Sequence, residues 1–234
     1  MKTDNLNPAR LAQKFRLDNG LGRSESVNVK SLLRKLNILT VYRPLSDDAY
    51  GLSLKSPQGH RFILINSNNS RGRQYFTIAH ELYHLFYDEL PHPHICCKDG
   101  ASKTERQANR FASALLMPEE GIIEMLSDEE YANKKISIAT VLKLEQYFGV
   151  SRTTMLLRLK ELNLLSPSLF EELRAYPVIR SANEYGHDVS LYQPGNQNLV
   201  IGDYGEKARL LFEKEKISES HYLELLNLIR NDED

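Results

Sequence analysis

The sequence predicts an α+β protein, with a small antiparallel three-stranded sheet packed against one long amphipathic helix and a mainly helical C-terminal half. Three observations predict it. Two helical segments precede three strand-like runs separated by turn residues, an amphipathic helical pattern follows the strands, and from Lys103 onward apolar residues recur at helical spacing. No internal repeat or low-complexity stretch interrupts this order.

The elements follow one by one. Asn7 before Pro8 reads as an N-cap with proline at the first helical position, opening a helix whose Leu11, Ala12 and Phe15 share a face. "NVKSLLRKLNI" gives a second helix with Leu32, Leu33 and Leu36 inward. "LTVYRPL", "AYGLSLK" and "RFILINS" read as strands, joined through "SDD" and "SPQGH". "SNNSRGR" offers N-caps to the next helix, which carries "YFTIAHELYHLFYDE" and ends in the loop "PHPHICCKDG". "TERQANRFASALLMP" is helical up to Pro118, and "IATVLKLEQYFGVSRTTMLLRLKELNLL" forms a further helical stretch. Beyond "SPS" the chain reads as mixed and turn-rich to about Gly205, then as two short helices with the charged end "RNDED". This partition suggests a core at residues 1–120, a helix-turn-helix-like segment at 121–166 and a mixed C-terminal region at 167–234.

Composition narrows the function. The chain has 234 residues and 41% hydrophobic content, enough for a self-supporting core. Its 30 basic and 31 acidic residues nearly cancel, so whole-molecule attraction to nucleic acid or to a membrane surface is weak and any DNA binding must come from a local patch. The N-terminal "MKTDNLNPARLAQKF" has no apolar signal-type core, and no later run approaches the roughly 20 apolar residues of a membrane span. A cytoplasmic protein without a membrane partner is expected. Cys96 and Cys97 are adjacent and provide no disulfide framework, which also favours a reducing compartment.

The chemistry concentrates at His80, Glu81 and His84, an H-E-x-x-H pattern. Residues four apart on a helix lie about 40° apart around the axis with Cβ atoms about 5–6 Å apart, so both histidines can hold one metal ion. Glu81, turned about 100° from His80, can address a water on that metal as general base without being a ligand. Ala79, Leu82 and Phe86 lie on the side that anchors the helix. A hydrolytic zinc site commonly adds a carboxylate as third ligand. Glu105, on the following helix, supplies it. Asn109, one turn later, and Asp88, one turn after His84, are candidate partners for the outer nitrogens of the histidines. Candidate donors to a substrate oxyanion are Tyr75, Tyr83, His60 and Arg73.

Two further features have competing readings. His92, His94, Cys96 and Cys97 in "PHPHICC" are either a polar loop with incidental thiols or ligands that hold a second zinc or cap the first. "LKLEQYFGVSRTTMLLRLKELNLL" has a helix-turn-helix outline, with a turn at Gly149, Ser151 as N-cap and Met155, Leu156 and Leu159 inward. It either presents Arg152, Thr153, Arg158 and Lys160 to DNA or serves packing and substrate docking.

"FTIAHELYHLF" followed by "ERQANRFASALLMP" resembles the two signatures of the ImmA/IrrE family of bacterial metallopeptidases, the second through Glu105, Ala108, Asn109, Phe111, Ala112, Leu115, Leu116, Met117 and Pro118. The resemblance is strongest from about Phe62 to Pro118. It implies a zincin-like core with zinc, or alternatively manganese, at His80, His84 and Glu105, and Glu81 as base. It also implies an intracellular endopeptidase whose protein substrate is a helix-turn-helix repressor, cleaved to switch on mobile-element or stress genes. Tyr83 departs from the family's usual glycine and raises a question of substrate access. A non-hydrolytic metal-containing regulator that binds DNA or a repressor is the alternative.

Overall fold

The computed structural model describes residues 7–88, 93–97 and 102–229. Helix α1 (Pro8–Asp18) begins as its proline and cap dictate, with Asn7 Oδ1 accepting from the Ala9 N–H at 3.0 Å. Its buried face packs on α4 (Lys103–Leu116), and the join is tied by Arg16, 2% exposed, whose guanidinium donates to the Gly22, Glu25 and Leu115 carbonyls. Helix α2 (Val29–Lys35) leads into β1 (Ile38–Arg43), β2 (Ala49–Lys55) and β3 (Arg61–Asn66), and then into α3 (Arg71–Tyr87).

The sheet is mixed and has five strands, in the order β4-β2-β3-β1-β5, where β4 is His94–Cys97 and β5 is Val200–Ile201. This corrects the expected three-stranded antiparallel sheet. Strand β3 enters between β1 and β2, pairing parallel to β1 (Ile38 with Arg61) and antiparallel to β2 (Gly51 with Ile65). Residues 44–48 therefore cross the end of β3 rather than forming a hairpin. Asn66, 2% exposed, makes the crossing stable: its Oδ1 accepts from the Leu45 N–H, and its amide donates to the Ser46 and Ala49 carbonyls. Those backbone groups would otherwise lack partners. The outer strands come from segments read as loop and as turn-rich chain, since runs of four and two residues carry almost no periodicity.

Burial alternates along β1, and Gly51 and Ser53 are the buried positions of β2. Small residues there let α3 approach closely: a Cβ on Gly51 would meet the Leu64 carbonyl oxygen and Thr77 Cγ2, each at 2.9 Å. One core runs from Leu11 and Phe15 through Ile63, Ile65, Ile78, Leu82 and Phe111 to Val141, Leu156, Phe170 and Ile201. It thus draws residues from all three expected segments.

Helices α5 (Glu119–Glu124), α6 (Asp128–Asn133), α7 (Ile138–Phe148) and α8 (Arg152–Glu161) follow. The α7–α8 turn matches its sequence reading: Gly149 takes φ 66° as the left-handed cap, Ser151 caps α8 through the Thr154 N–H, and Met155, Leu156 and Leu159 are buried. The turn-rich region contains α9 (Pro167–Ala175), α10 (Val178–Glu184) and a 3₁₀ turn at Val189–Tyr192. Helices α11 (Tyr204–Glu213) and α12 (Glu219–Asn227) end the described chain, and "RNDED" lies outside it. No helix among the described residues is long and apolar enough to cross a membrane.

Candidate metal centre

Helix α3 places His80 and His84 one turn apart, each 2% exposed, and α4 delivers Glu105 to them. The ligand atoms converge. His80 Nε2 lies 3.2 Å from His84 Nε2 and 3.2 Å from Glu105 Oε2, and His84 Nε2 lies 3.4 Å from Glu105 Oε1. Bonds of about 2.0–2.2 Å to a tetrahedral zinc separate its ligand atoms by about 3.3–3.6 Å, so this spacing suits one ion.

The other ring nitrogens face outward to acceptors. His84 Nδ1 is 3.0 Å from Asp88 Oδ2, and His80 Nδ1 is 3.0 Å from Asn109 Oδ1. A carboxylate only accepts, so His84 donates through Nδ1 and turns its Nε2 lone pair toward His80 and Glu105. The two expected orienting residues thus divide the work, one to each histidine. Metal ligands are commonly oriented in this way.

Two site residues escaped the sequence reading or were left ambiguous by it. Ser53, 1% exposed on β2, donates to Glu81 Oε2 at 2.5 Å. Its signal was a serine at an inward position of an alternating strand. His94 on β4 lies with Nδ1 3.0 Å from Glu81 Oε2 and Nε2 2.8 Å from Glu105 Oε1, its ring stacked on that of His84 at 3.5 Å. Glu81 is wholly buried, and its Oε1 has no hydrogen-bond partner among the described residues.

Electrostatics agree with a cation site. Burial opposes charge on His80, but hydrogen bonds with Cys96 and Glu105 outweigh it and push its pKa up to about 10. Burial likewise opposes charge on His94, and Glu105 and Glu81 outweigh it, raising the pKa to about 9. Burial, with the neighbouring His94 and His80, lowers that of His84. For Glu105, burial is overridden by His80 and His94, which hold its carboxyl well below the usual range. The cluster demands positive charge, which protons or one divalent ion can satisfy.

The remaining candidates lie elsewhere around α3. Tyr83 is buried among Tyr87 and Phe111, edge-on to His84, and its hydroxyl donates to Gln107 Oε1 at 3.3 Å. Tyr75 packs at the Gly149 turn. Arg73 stacks on Tyr50, and His60 is exposed in the β2–β3 turn. His92 lies outside the described residues, and Cys96 is a free, buried thiol.

Two of the residues that the DNA reading of the helix-turn-helix-like segment would need, Arg152 and Arg158, are buried. Arg152, 2% exposed, pairs with Glu145 and donates to Ser181, while Arg158 donates to the Met117 carbonyl and pairs with Glu161. The apolar contacts that seat α8 draw both guanidiniums inside. The outer face of α8 instead borders a cleft of about 800 Å³, lined by Arg73, Phe76, Asn109, Arg110, Thr153 and Leu157 among others.

A sheet-backed helix with two histidines one turn apart, completed by an acid from the next helix, is the layout of the zincin-like metallopeptidases. Residues 33–160, more than half of the chain, match the model of the IrrE N-terminal-like domain. The chain belongs to the ImmA/IrrE family of metallopeptidases. Among solved structures, a Mycobacterium tuberculosis transcriptional regulator is similar at 19% identity and a TM-score of 0.43, over 65% of this chain and 46% of that one. This chain therefore spans less than half the length of that regulator. No match was found among curated proteins.

Proposed function

We propose that the protein is a cytoplasmic zinc-dependent endopeptidase that hydrolyses a peptide bond in a regulatory protein, a helix-turn-helix repressor, and so derepresses mobile-element or stress genes. The observation that carries this reading is the convergence of His80 Nε2, His84 Nε2 and the two oxygens of the Glu105 carboxylate, 3.2–3.4 Å apart, beside Glu81 Oε1, which has no hydrogen-bond partner among the described residues. The same donor set admits manganese.

His80, His84 and Glu105 would hold the ion, with Asn109 and Asp88 fixing the two imidazoles. Zinc bound there supplies a Lewis acid that polarises a carbonyl and activates water near neutral pH. Glu81 Oε1 is the oxygen able to take a proton and return it to the leaving amine, because Oε2 is engaged by Ser53 and His94. The packing of α3 against the sheet and α4 keeps Glu81 out of bulk water. The cleft beside α8 offers a docking place for the substrate protein, in keeping with the packing and docking reading of that segment. The burial of Arg152 and Arg158 counts against the DNA-binding alternative.

The test mixes zinc-loaded protein with a helix-turn-helix repressor encoded nearby and compares it with Glu81→Gln. Cleavage by the parent and its loss in the variant, with metal retained, are expected. Equal cleavage by both would remove Glu81 from its role, and binding without cleavage by both would favour the regulator. Full metal content in Glu105→Ala would remove the third ligand.

A further inference from the structure

His94 obeys the same arrangement as the two histidines of the H-E-x-x-H helix. In each of the three imidazoles, Nδ1 faces an oxygen acceptor: Asn109 Oδ1, Asp88 Oδ2 and Glu81 Oε2, all at 3.0 Å. In each, Nε2 is aimed inward at Glu105, which His94 approaches to 2.8 Å. One ligand atom from each of His80, His84, His94 and Glu105 fits within a sphere of mutual distances no larger than 4.8 Å. Strand geometry explains how the ring arrives there. Side chains alternate along β4, so His94 and Cys96 face inward while Ile95, 55% exposed, faces out. His94 pairs across the strands with Ser53, and both engage Glu81 Oε2.

We propose that His94 is the fourth protein ligand of the resting metal centre, closing the coordination position that substrate and water need and occupying one oxygen of Glu81 at the same time. This rests on the metal site assigned above. A catalytic zinc site keeps one position open, whereas four protein ligands make a closed site. Hydrolysis would then require the neutral His94 imidazole to move away from Glu105 and free the position that substrate and water need, with no change of charge or oxidation state. Cys96 is the weaker claimant, because its thiol groups with His80 and Glu81 rather than with His84 and Glu105.

Cobalt, loaded into the metal-stripped full-length protein, reports the coordination directly. The parent should bind one equivalent and show the intense visible bands of a four-coordinate ion. In His94→Ala those bands should fall severalfold, affinity should drop about ten- to a hundredfold, and added imidazole should restore the bands of the variant while leaving the parent unchanged. His94→Gln should show the same loss of intensity, and Ile95→Ala, altered on the outer face of the same strand, should retain the parent spectrum. Parent-like bands and affinity in a folded His94→Ala, or equal loss in Ile95→Ala, would overturn the proposal. Failure of the underlying metal assignment looks different: His80→Ala and Glu105→Ala would then bind cobalt as the parent does.

Discussion

His84 illustrates how much one side chain depends on its surroundings. Its ring is held by Asp88 on one nitrogen and turned toward His80 and Glu105 by the other, while His94 stacks on its face. Removing the outer acceptor frees the ring to rotate and to change tautomer. Asp88→Ala should therefore weaken zinc binding about ten- to a hundredfold with the fold intact, as measured by competition with a chromogenic chelator. His80, Glu81 and His84 were legible because helical spacing brings them together, and Glu105 because a hydrolytic zinc site needs a third ligand and the family signature marks this acid. Ser53 was not, because a serine in a strand acquires meaning only from what the neighbouring helix sets against it.

Elements are held together by polar groups as well as by the core. Glu130 joins α6 to α7, accepting from the Ser127 and Ser137 N–H groups and from the Thr140 hydroxyl. Partial burial opposes its ionisation, but these hydrogen bonds outweigh it and hold its pKa at about 2 against an ordinary 4.5. A depressed carboxyl stabilises the fold above its unfolded pKa, and the contribution disappears as pH falls from about 4.5 toward 2. The difference in unfolding free energy between the parent and Glu130→Gln should be largest above pH 5 and vanish near pH 2 in denaturant titrations. Between α7, α8 and α10, Arg152 and Glu145 form a buried pair completed by Tyr192 and Ser181. Burial raises the Glu145 pKa. Arg152→Met leaves that carboxylate without its counter-charge and should cost about 3–5 kcal/mol of stability, with much of the loss recovered by the further change Glu145→Leu. Chemical denaturation of the two variants checks both values. The helix-turn-helix outline was readable from Gly149 and Ser151, but the inward turn of these arginines depended also on partners 29 residues from Arg152 at Ser181 and 41 residues from Arg158 at Met117.

At the scale of the molecule, the proposed metal position would join α3 to α4, so an ion that binds only the folded chain should stabilise all of it. Zinc at a hundred times its dissociation constant adds about 2.7 kcal/mol, and a chelator should lower the midpoint of thermal unfolding correspondingly. Scanning calorimetry with and without chelator checks this, and the same chelator should leave the midpoint of His80→Ala unchanged. The sequence by itself determined the α+β class, the long H-E-x-x-H helix, the acid on the helix after it and the family signature, because each lies within a local period or a short spacing. Only the tertiary structure decided that β3 runs beside β1, that short β4 and β5 complete the sheet, and that His94 reaches Glu81 and Glu105. Strand order follows from which loop can be satisfied across a strand end, here through Asn66, and a four-residue edge strand is recruited by an existing edge, so neither is written in local periodicity.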